Sequence, residues 1–513
     1  MKLARHLLLP ILAALAAASP AHAQAPAAVT VTVDLDKPGA RIERAIYGQF
    51  AEHLGTGIYG GVWVGPNSPV PNTNGYRNDV LAALKHIRVP VIRWPGGCFA
   101  DEYDWRDGIG PRGQRPERVN NHWGGVTDSN AFGTHEFMNY TELVGADAYV
   151  AGNMGSMEPR AMGQWVEYMV SNQGSLAAER KRNGRDKPWK VKYFGVGNES
   201  WGCGGNMRPE FSADMHKRYQ TFIKWPWGSD PIVKVATGAN VDDYNFTEVL
   251  MREARNQMNA VSMHYYTFAH SWEDKGHALG FGEDQWASTL ANALRMDELV
   301  TRHSAIMDKY DPEKRVALYV DEWGTWWQDE PGETPGFLHQ QSSLRDAEVA
   351  ALTLNIFHRH TARVKLAAIA QMVNVLQAMI LTDGNRMLLT PTYHVFDMYV
   401  PFQGATPYPA SVRGPTYDKA GHKLPMVDVS VARGTDGKLW VSLVNLDPNR
   451  PARVATSLSG NARGRILTAP AMDTHNSFDK PNTIQPAPYA AQGAGGKLVF
   501  DLPAKSVVVV AVE

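Results

Sequence analysis

Between about residues 42 and 400 the chain alternates two hydrophobic patterns. Short runs of apolar residues fall at 46–50, 91–94, 148–152, 192–197, 233–238, 260–265, 316–320 and 367–373. Between them lie segments whose apolar residues recur every three or four positions, at 79–87, 134–144, 162–171, 212–224, 247–255, 290–310 and 344–360. Uninterrupted apolar runs of this length are strands buried on both faces, and strands alternating with amphipathic helices predict a parallel sheet covered by helices. Eight such units predict closure into an α/β fold, a (β/α)8 TIM barrel over 42–400. The longest connections follow strands, at 98–132 and 323–343, where a barrel carries its binding loops.

The pattern changes after Val400. Residues 401–425 are rich in Pro and Gly without a clear period and are expected as a connector. Residues 426–513 are all-β in character: runs at 427–432 and 439–445 flank Gly434-Thr435-Asp436-Gly437, a hairpin signature, and further runs lie at 497–501 and 506–512. A C-terminal β-sandwich, jelly-roll-like, is expected there. The segment 24–41 contains alternating Val and Thr at 29–33 and is expected to add a strand to the same sandwich.

Composition narrows the partners. The 513 residues carry 51 Lys+Arg against 52 Asp+Glu, so no long-range field draws the protein to nucleic acid or to an anionic membrane. Fifteen Trp and 19 Tyr supply flat faces of the kind that stack on sugar rings, although most such rings simply pack. Lys2 and Arg5, the apolar stretch 7–17 and Ala21-His22-Ala23 read as a signal peptide over 1–23. On that reading the protein is exported, periplasmic or secreted, with no membrane attachment after cleavage. Cys98 and Cys203 are the only cysteines, open either to a bridge or to two free thiols.

Candidate chemistry gathers where the apolar runs finish, at Glu52, Arg93, Asn153, Asn198, Glu199, Asn240, His264, Glu322, Gln371 and Asn374. Burying one such group without a partner costs a few kcal/mol, about 1–3 on mutational scales, so their placement at the same end of many strands predicts a shared polar pocket. Glu199 closes the run 192–197 and Glu322 closes 316–320. Two carboxylates, one protonated and one ionised, are what glycosidic-bond cleavage requires. Two other motifs weigh little. Gly55-Thr-Gly57-Ile-Tyr-Gly60 has the spacing of a phosphate loop, but no helix pattern follows it. His358 and His360 lack the spacing of a zinc helix and are expected at the surface.

The motifs together resemble glycoside hydrolase family 51, the α-L-arabinofuranosidases. The matching pieces run in family order: Tyr47-Gly-Gln-Phe-Ala-Glu-His-Leu-Gly55, Ile92-Arg-Trp-Pro-Gly-Gly-Cys98, Asn121-His-Trp-Gly-Gly-Val126, Phe132-Gly-Thr-His-Glu-Phe137, Gly195-Val-Gly-Asn-Glu199, Met263-His-Tyr-Tyr266, Asp321-Glu-Trp323 and Ala370-Gln-Met-Val-Asn374. The resemblance implies Glu199 as general acid/base and Glu322 as nucleophile of a retaining mechanism. It implies that Glu52 and Asn198 bind furanose hydroxyls, that Tyr266 hydrogen-bonds the nucleophile, and that Cys98, His264 and Gln371 line the sugar pocket. Trp326 is expected as a sugar-contacting aromatic, in competition with its neighbour Trp327. The resemblance further implies no metal or cofactor, an arabinose-containing oligosaccharide or polysaccharide as substrate, and a homo-oligomer. Two alternatives stay open: a related barrel glycosidase acting on β-xylosides or β-glucans, and a catalytically silent carbohydrate-binding protein.

Overall fold

A computed structural model describes residues 25–513. The leader reading of 1–23 lies outside the described residues. All eight apolar runs contribute strands, Gly48–Phe50, Val91–Trp94, Asp147–Gly152, Val191–Val196, Val233–Asn240, Ala260–Thr267, Ala317–Thr325 and Val364–Ile369, although Ile46 and Tyr47 of the first run lie in a 3-10 helix before its strand. Each pairs in parallel with its neighbours in chain order, and the eighth closes on the first, Ala368 opposite Gly48. The eighth strand starts and ends earlier than expected. Beyond Ile369 the pairing turns irregular: the amides of Ala370 and Met372 still bond the carbonyls of Trp323 and Phe50, but the amide of Gln371 bonds the carbonyl of Val375.

The helices differ from expectation in detail. Two short helices, Pro159–Val170 and Gly174–Arg182, fill the third connection where one was expected. The helix before the seventh strand spans Glu283–Tyr310, seven residues earlier at its start, because its first turn carries Glu283 and Asp284 rather than apolar residues. Acidic groups there favour a helix N-terminus electrostatically but leave no hydrophobic signal. An unexpected helix, Pro391–Tyr399, follows the eighth strand.

The sandwich is a ten-stranded sheet that doubles over at Ala487–Ala494, which pairs with Ala462–Thr468 on one side and Lys497–Leu502 on the other. Residues from both halves share one core: Val29 and Val31, Val454 and Phe500 face Val429, Val441, Val508 and Val510. The strand Ala27–Val33 lies parallel to Ala452–Thr456 and antiparallel to Ala410–Arg413, with Ala27, Val29, Val31 and Val33 inward and Ala28, Thr30 and Thr32 exposed. The stretch 401–425, expected as a connector, is not structureless. It supplies Thr406–Tyr408 and Ala410–Arg413 to the large sheet, then a separate hairpin, Thr416–Lys419 with His422–Pro425. These strands are short and half-exposed, so their apolar signal is weak.

The sandwich packs on the helix Leu344–Arg359, whose residues 344–358 are all buried. A helix covered on every face sits between layers. His358 is therefore not a surface histidine: it is buried, with Nε2 2.7 Å from Tyr47 Oη of the barrel and Nδ1 2.8 Å from Ser430 Oγ of the sandwich. His360 is partly exposed and pairs with Asp297.

Candidate active site

The C-terminal ends of the barrel strands open into a cavity of about 560 Å³. Glu52, Cys98, Glu199, His264, Tyr266, Glu322, Trp326 and Gln371 line it. Asn198 lies just behind them. Of the other polar strand ends, Arg93 and Asn240 belong to this region. Asn153 and Asn374 do not: Asn153 caps the turn at Ser156 and Met157, and Asn374 ties Thr56 to Thr382.

Glu199 follows the fourth strand through Gly197 and Asn198. Its φ is +28°, a region that costs a non-glycine residue about 1–3 kcal/mol. The following turn holds it there, since the amides of Gly202 and Gly204 both bond its carbonyl. Gly204 has to be glycine, because a Cβ would sit 2.0 Å from the carbonyl of Asn198. The carboxylate points into the cavity, and its Oε1 lies 2.8 Å from His264 Nδ1. Burial pushes its pKa above the usual carboxylate value; nearby Glu322 pushes the same way, and His264 and Arg93 oppose.

Glu322 stands on the seventh strand, opposite His264 in the register of the sixth. Arg93 donates to its Oε1 at 2.6 Å and Tyr266 Oη donates to its Oε2 at 2.9 Å. Arg93 also donates to Asn198 Oδ1 at 2.7 Å, and the amide nitrogen of Asn198 lies 3.8 Å from Cys203 Sγ. Asp321, one residue before, turns inward to accept from Tyr149 Oη at 2.6 Å. Burial opposes its charge, but Arg93 and His264 outweigh burial and hold it below the usual range. Burial likewise opposes charge on His264, yet Glu322, Asp321 and Glu199 together push it up to about 10. The imidazolium thus bridges both glutamates: an oxygen of Glu199, a nitrogen of His264 and an oxygen of Glu322 all lie within 4.8 Å of one another.

Glu52 forms the opposite wall. Its Oε1 accepts from the amides of Gly97 and Phe99 and from Trp123 Nε1, and its Oε2 accepts from Gln371 Nε2. Burial, with Glu322 nearby, still pushes it up to about 7. Gly97 lets this wall approach the centre, since a Cβ there would meet Glu322 Oε1 at 2.8 Å. Trp326 faces the cavity with its ring edge-on to Tyr266 and to Trp272. Trp327 turns away into the core and donates to Asp346.

Cys98 and Cys203 are joined in a disulfide on the cavity wall. Together with Glu199 they have the residue types of a metal cluster, as do Glu199, His264 and Glu322. Neither set suits a cation as it stands: bonded sulfurs offer no thiolate, and a protonated imidazole offers no lone pair. Sequence reasoning missed Trp123, Tyr149, Asp321 and Trp272 as parts of the site. Asp321 and Trp123 stood within quoted motifs, but only the fold shows what they touch.

Known proteins resemble this chain over nearly its whole length. A family model described as alpha-L-arabinofuranosidase 1 domain matches residues 83–280, and one described as alpha-L-arabinofuranosidase C-terminal domain matches 321–506. The chain is 48% identical, over 93% of its length and 94% of the other's, to an intracellular exo-alpha-L-arabinofuranosidase of Bacteroides ovatus. The crystal structure of the GH51 arabinofuranosidase from Xanthomonas axonopodis pv. citri is 55% identical, with a TM-score of 0.94 over 95% of this chain and 100% of that one. The thermostable GH51 enzyme of Thermotoga petrophila RKU-1 superposes with a TM-score of 0.83 at 28% identity, over 94% and 100%. These relatives correct one expectation. Export to the periplasm or beyond is overturned by the Bacteroides ovatus relative, which is an intracellular enzyme. By these matches the chain belongs to glycoside hydrolase family 51, the α-L-arabinofuranosidases.

Proposed function

We propose that the protein is a retaining, exo-acting α-L-arabinofuranosidase that removes terminal non-reducing arabinofuranosyl residues from arabinoxylan, arabinan or oligosaccharides derived from them. The observation that carries the mechanism is the approach of Glu199 and Glu322 in one cavity, with carboxylate oxygens within 4.8 Å. Retaining enzymes place their two carboxyls about 5–5.5 Å apart, whereas inverting ones leave about 6.5–9.5 Å for a water.

Glu199, with its raised pKa, donates its proton to the glycosidic oxygen as Glu322 attacks the anomeric carbon. The leaving alcohol departs with that proton, and the sugar becomes an ester of Glu322. A water then attacks the same carbon, gives its proton to the Glu199 carboxylate and frees Glu322. Arg93 and Tyr266 hold Glu322 in its attacking orientation. Glu52, Asn198 and Gln371 fix the furanose hydroxyls, while Cys98, His264 and Trp326 shape the cavity around the ring. This assigns the chemistry to the barrel over 42–400 and a supporting role to the sandwich over 426–513. The homo-oligomer that the resemblance implies is tested by sedimentation equilibrium of the full chain.

Replacing Glu322 by Ala should nearly abolish turnover, with azide restoring part of the rate as a glycosyl azide of inverted configuration. Glu199→Ala should cost about 10²–10⁴-fold on arabino-oligosaccharides, whose leaving groups need a proton, and far less on nitrophenyl arabinofuranoside. Equal losses on both substrates would refute the assignment of Glu199. Proton NMR of the first-formed product checks retention, and a panel of nitrophenyl glycosides separates arabinofuranosidase from β-xylosidase activity.

A further inference from the structure

The two oxygens of the Glu199 carboxylate have unlike surroundings. Oε1 is paired with His264. Oε2 faces the sulfurs of Cys98 and Cys203, at 3.8 and 3.5 Å. Those sulfurs are bonded to each other and carry no hydrogen to donate. Among the described residues no N–H or O–H group donates to Oε2. The bridge joins the loop after the second barrel strand, which begins Pro95-Gly96-Gly97-Cys98, to the turn that carries Glu199 and holds it at positive φ. It is therefore both a brace for that turn and an apolar wall against one oxygen.

We propose that the Cys98–Cys203 disulfide is a positioning element for Glu199, and that opening it to two thiols gives Oε2 the donors it lacks, making the acid step sensitive to redox state. The inference rests on the reading of Glu199 as acid/base. The step is a two-electron reduction. A dithiol reductant supplies two electrons and two protons, the sulfur–sulfur bond breaks, each cysteine becomes S–H, and the reductant leaves as its own disulfide. A thiol is a weak donor, and hydrogen bonds to the charged form of a carboxylate favour that form. The reduced enzyme then holds its acid proton less well. The other charged and titratable groups facing Glu199 are His264 and Tyr266 from the sixth strand, Glu322 from the seventh, Arg93 from the second, and Asp101 from the loop beyond it. None of them is bonded to either sulfur; the uncharged amide nitrogen of Asn198 also meets the bridge, 3.8 Å from Cys203 Sγ. In a reducing compartment such a pair is a dithiol, and in an oxidising one a bridge, so the same chain has two forms of its acid.

The experiment measures kcat/KM against pH for an arabino-oligosaccharide and for nitrophenyl arabinofuranoside, before and after a dithiol reductant. Thiol titration counts the free sulfurs, and circular dichroism checks the fold. With two thiols free, the alkaline limb for the oligosaccharide should move to lower pH. Its rate on that side should fall by about threefold, the effect of one modest hydrogen bond. The nitrophenyl substrate should change little, and reoxidation should restore the original profile. Cys98→Ala/Cys203→Ala should ignore the reductant. If the bridge resists reduction in the folded enzyme, Cys98→Ser/Cys203→Ser supplies hydroxyl donors instead and should show the lowered limb relative to the double alanine variant. An unmoved limb with two thiols counted, equal losses on both substrates, a double alanine variant that still responds, or matching serine and alanine profiles would each overturn the inference. Glu199→Ala in parallel separates the failures. A leaving-group split between the two substrates there keeps the acid/base reading even when the redox effect is absent, and its loss removes both.

Discussion

At the scale of single residues, the site is a chain of buried charges that satisfy one another. Arg93 is the keystone, reaching Glu322, Asp321 and Asn198 from the second strand while its guanidinium lies over the ring of Phe50. Removing one partner of a buried pair leaves a charge without compensation, at about 3–5 kcal/mol. Arg93→Ala should therefore lower stability by that amount in urea unfolding and lower kcat as Glu322 loses its orientation; a change under about 1 kcal/mol would mean Arg93 carries little of the network. Glu199 and Glu322 were legible in the sequence because each closes an apolar run. The inward turn of Asp321, the bond from Trp123 to Glu52 and the sulfur bridge were not, because each depends on which strands become neighbours around the barrel.

At the scale of elements, the barrel was legible because both-face burial writes itself as unbroken apolar runs, and all eight contribute strands. What escaped had a mixed signal: the acidic first turn of Glu283–Tyr310 and the short strands of 401–425, half-exposed among prolines and glycines. The clearest alternation in the chain, Ala27–Val33, allows a sharp test. Val31 is buried against the sandwich core and Thr32 faces out. Val31→Asp should destabilise by several kcal/mol, as an unpaired carboxylate in an apolar layer does, while Thr32→Asp should stay within about 0.5 kcal/mol. Thermal unfolding of the two variants distinguishes them, and equal shifts would mean the strand is not held in this register.

At the scale of the whole molecule, barrel and sandwich are joined through polar contacts buried around two helices, Glu283–Tyr310 and Leu344–Arg359. Asn355 donates to Asp428, Trp286 to the carbonyl of Leu446, and His358 links Tyr47 to Ser430. Burial pulls the His358 pKa down to about 3 from 6.5. The folded state thus keeps it neutral where the unfolded chain would bind a proton. Its contribution to stability is present above pH 6.5 and is lost as pH falls toward 3. His358→Gln should flatten the fall of stability across that window, read by denaturant titration at several pH values, and an unchanged slope would show that His358 does not sense acid. The strand Ala27–Val33 has a different consequence. Its two neighbours, Ala410–Arg413 and Ala452–Thr456, leave the ribosome only after the entire barrel has been made. For most of translation this strand waits with both edges bare, an adhesive ribbon on a nascent chain. The sandwich is a clasp that fastens last, and slowing synthesis lengthens the interval in which that ribbon can catch on a neighbouring polypeptide.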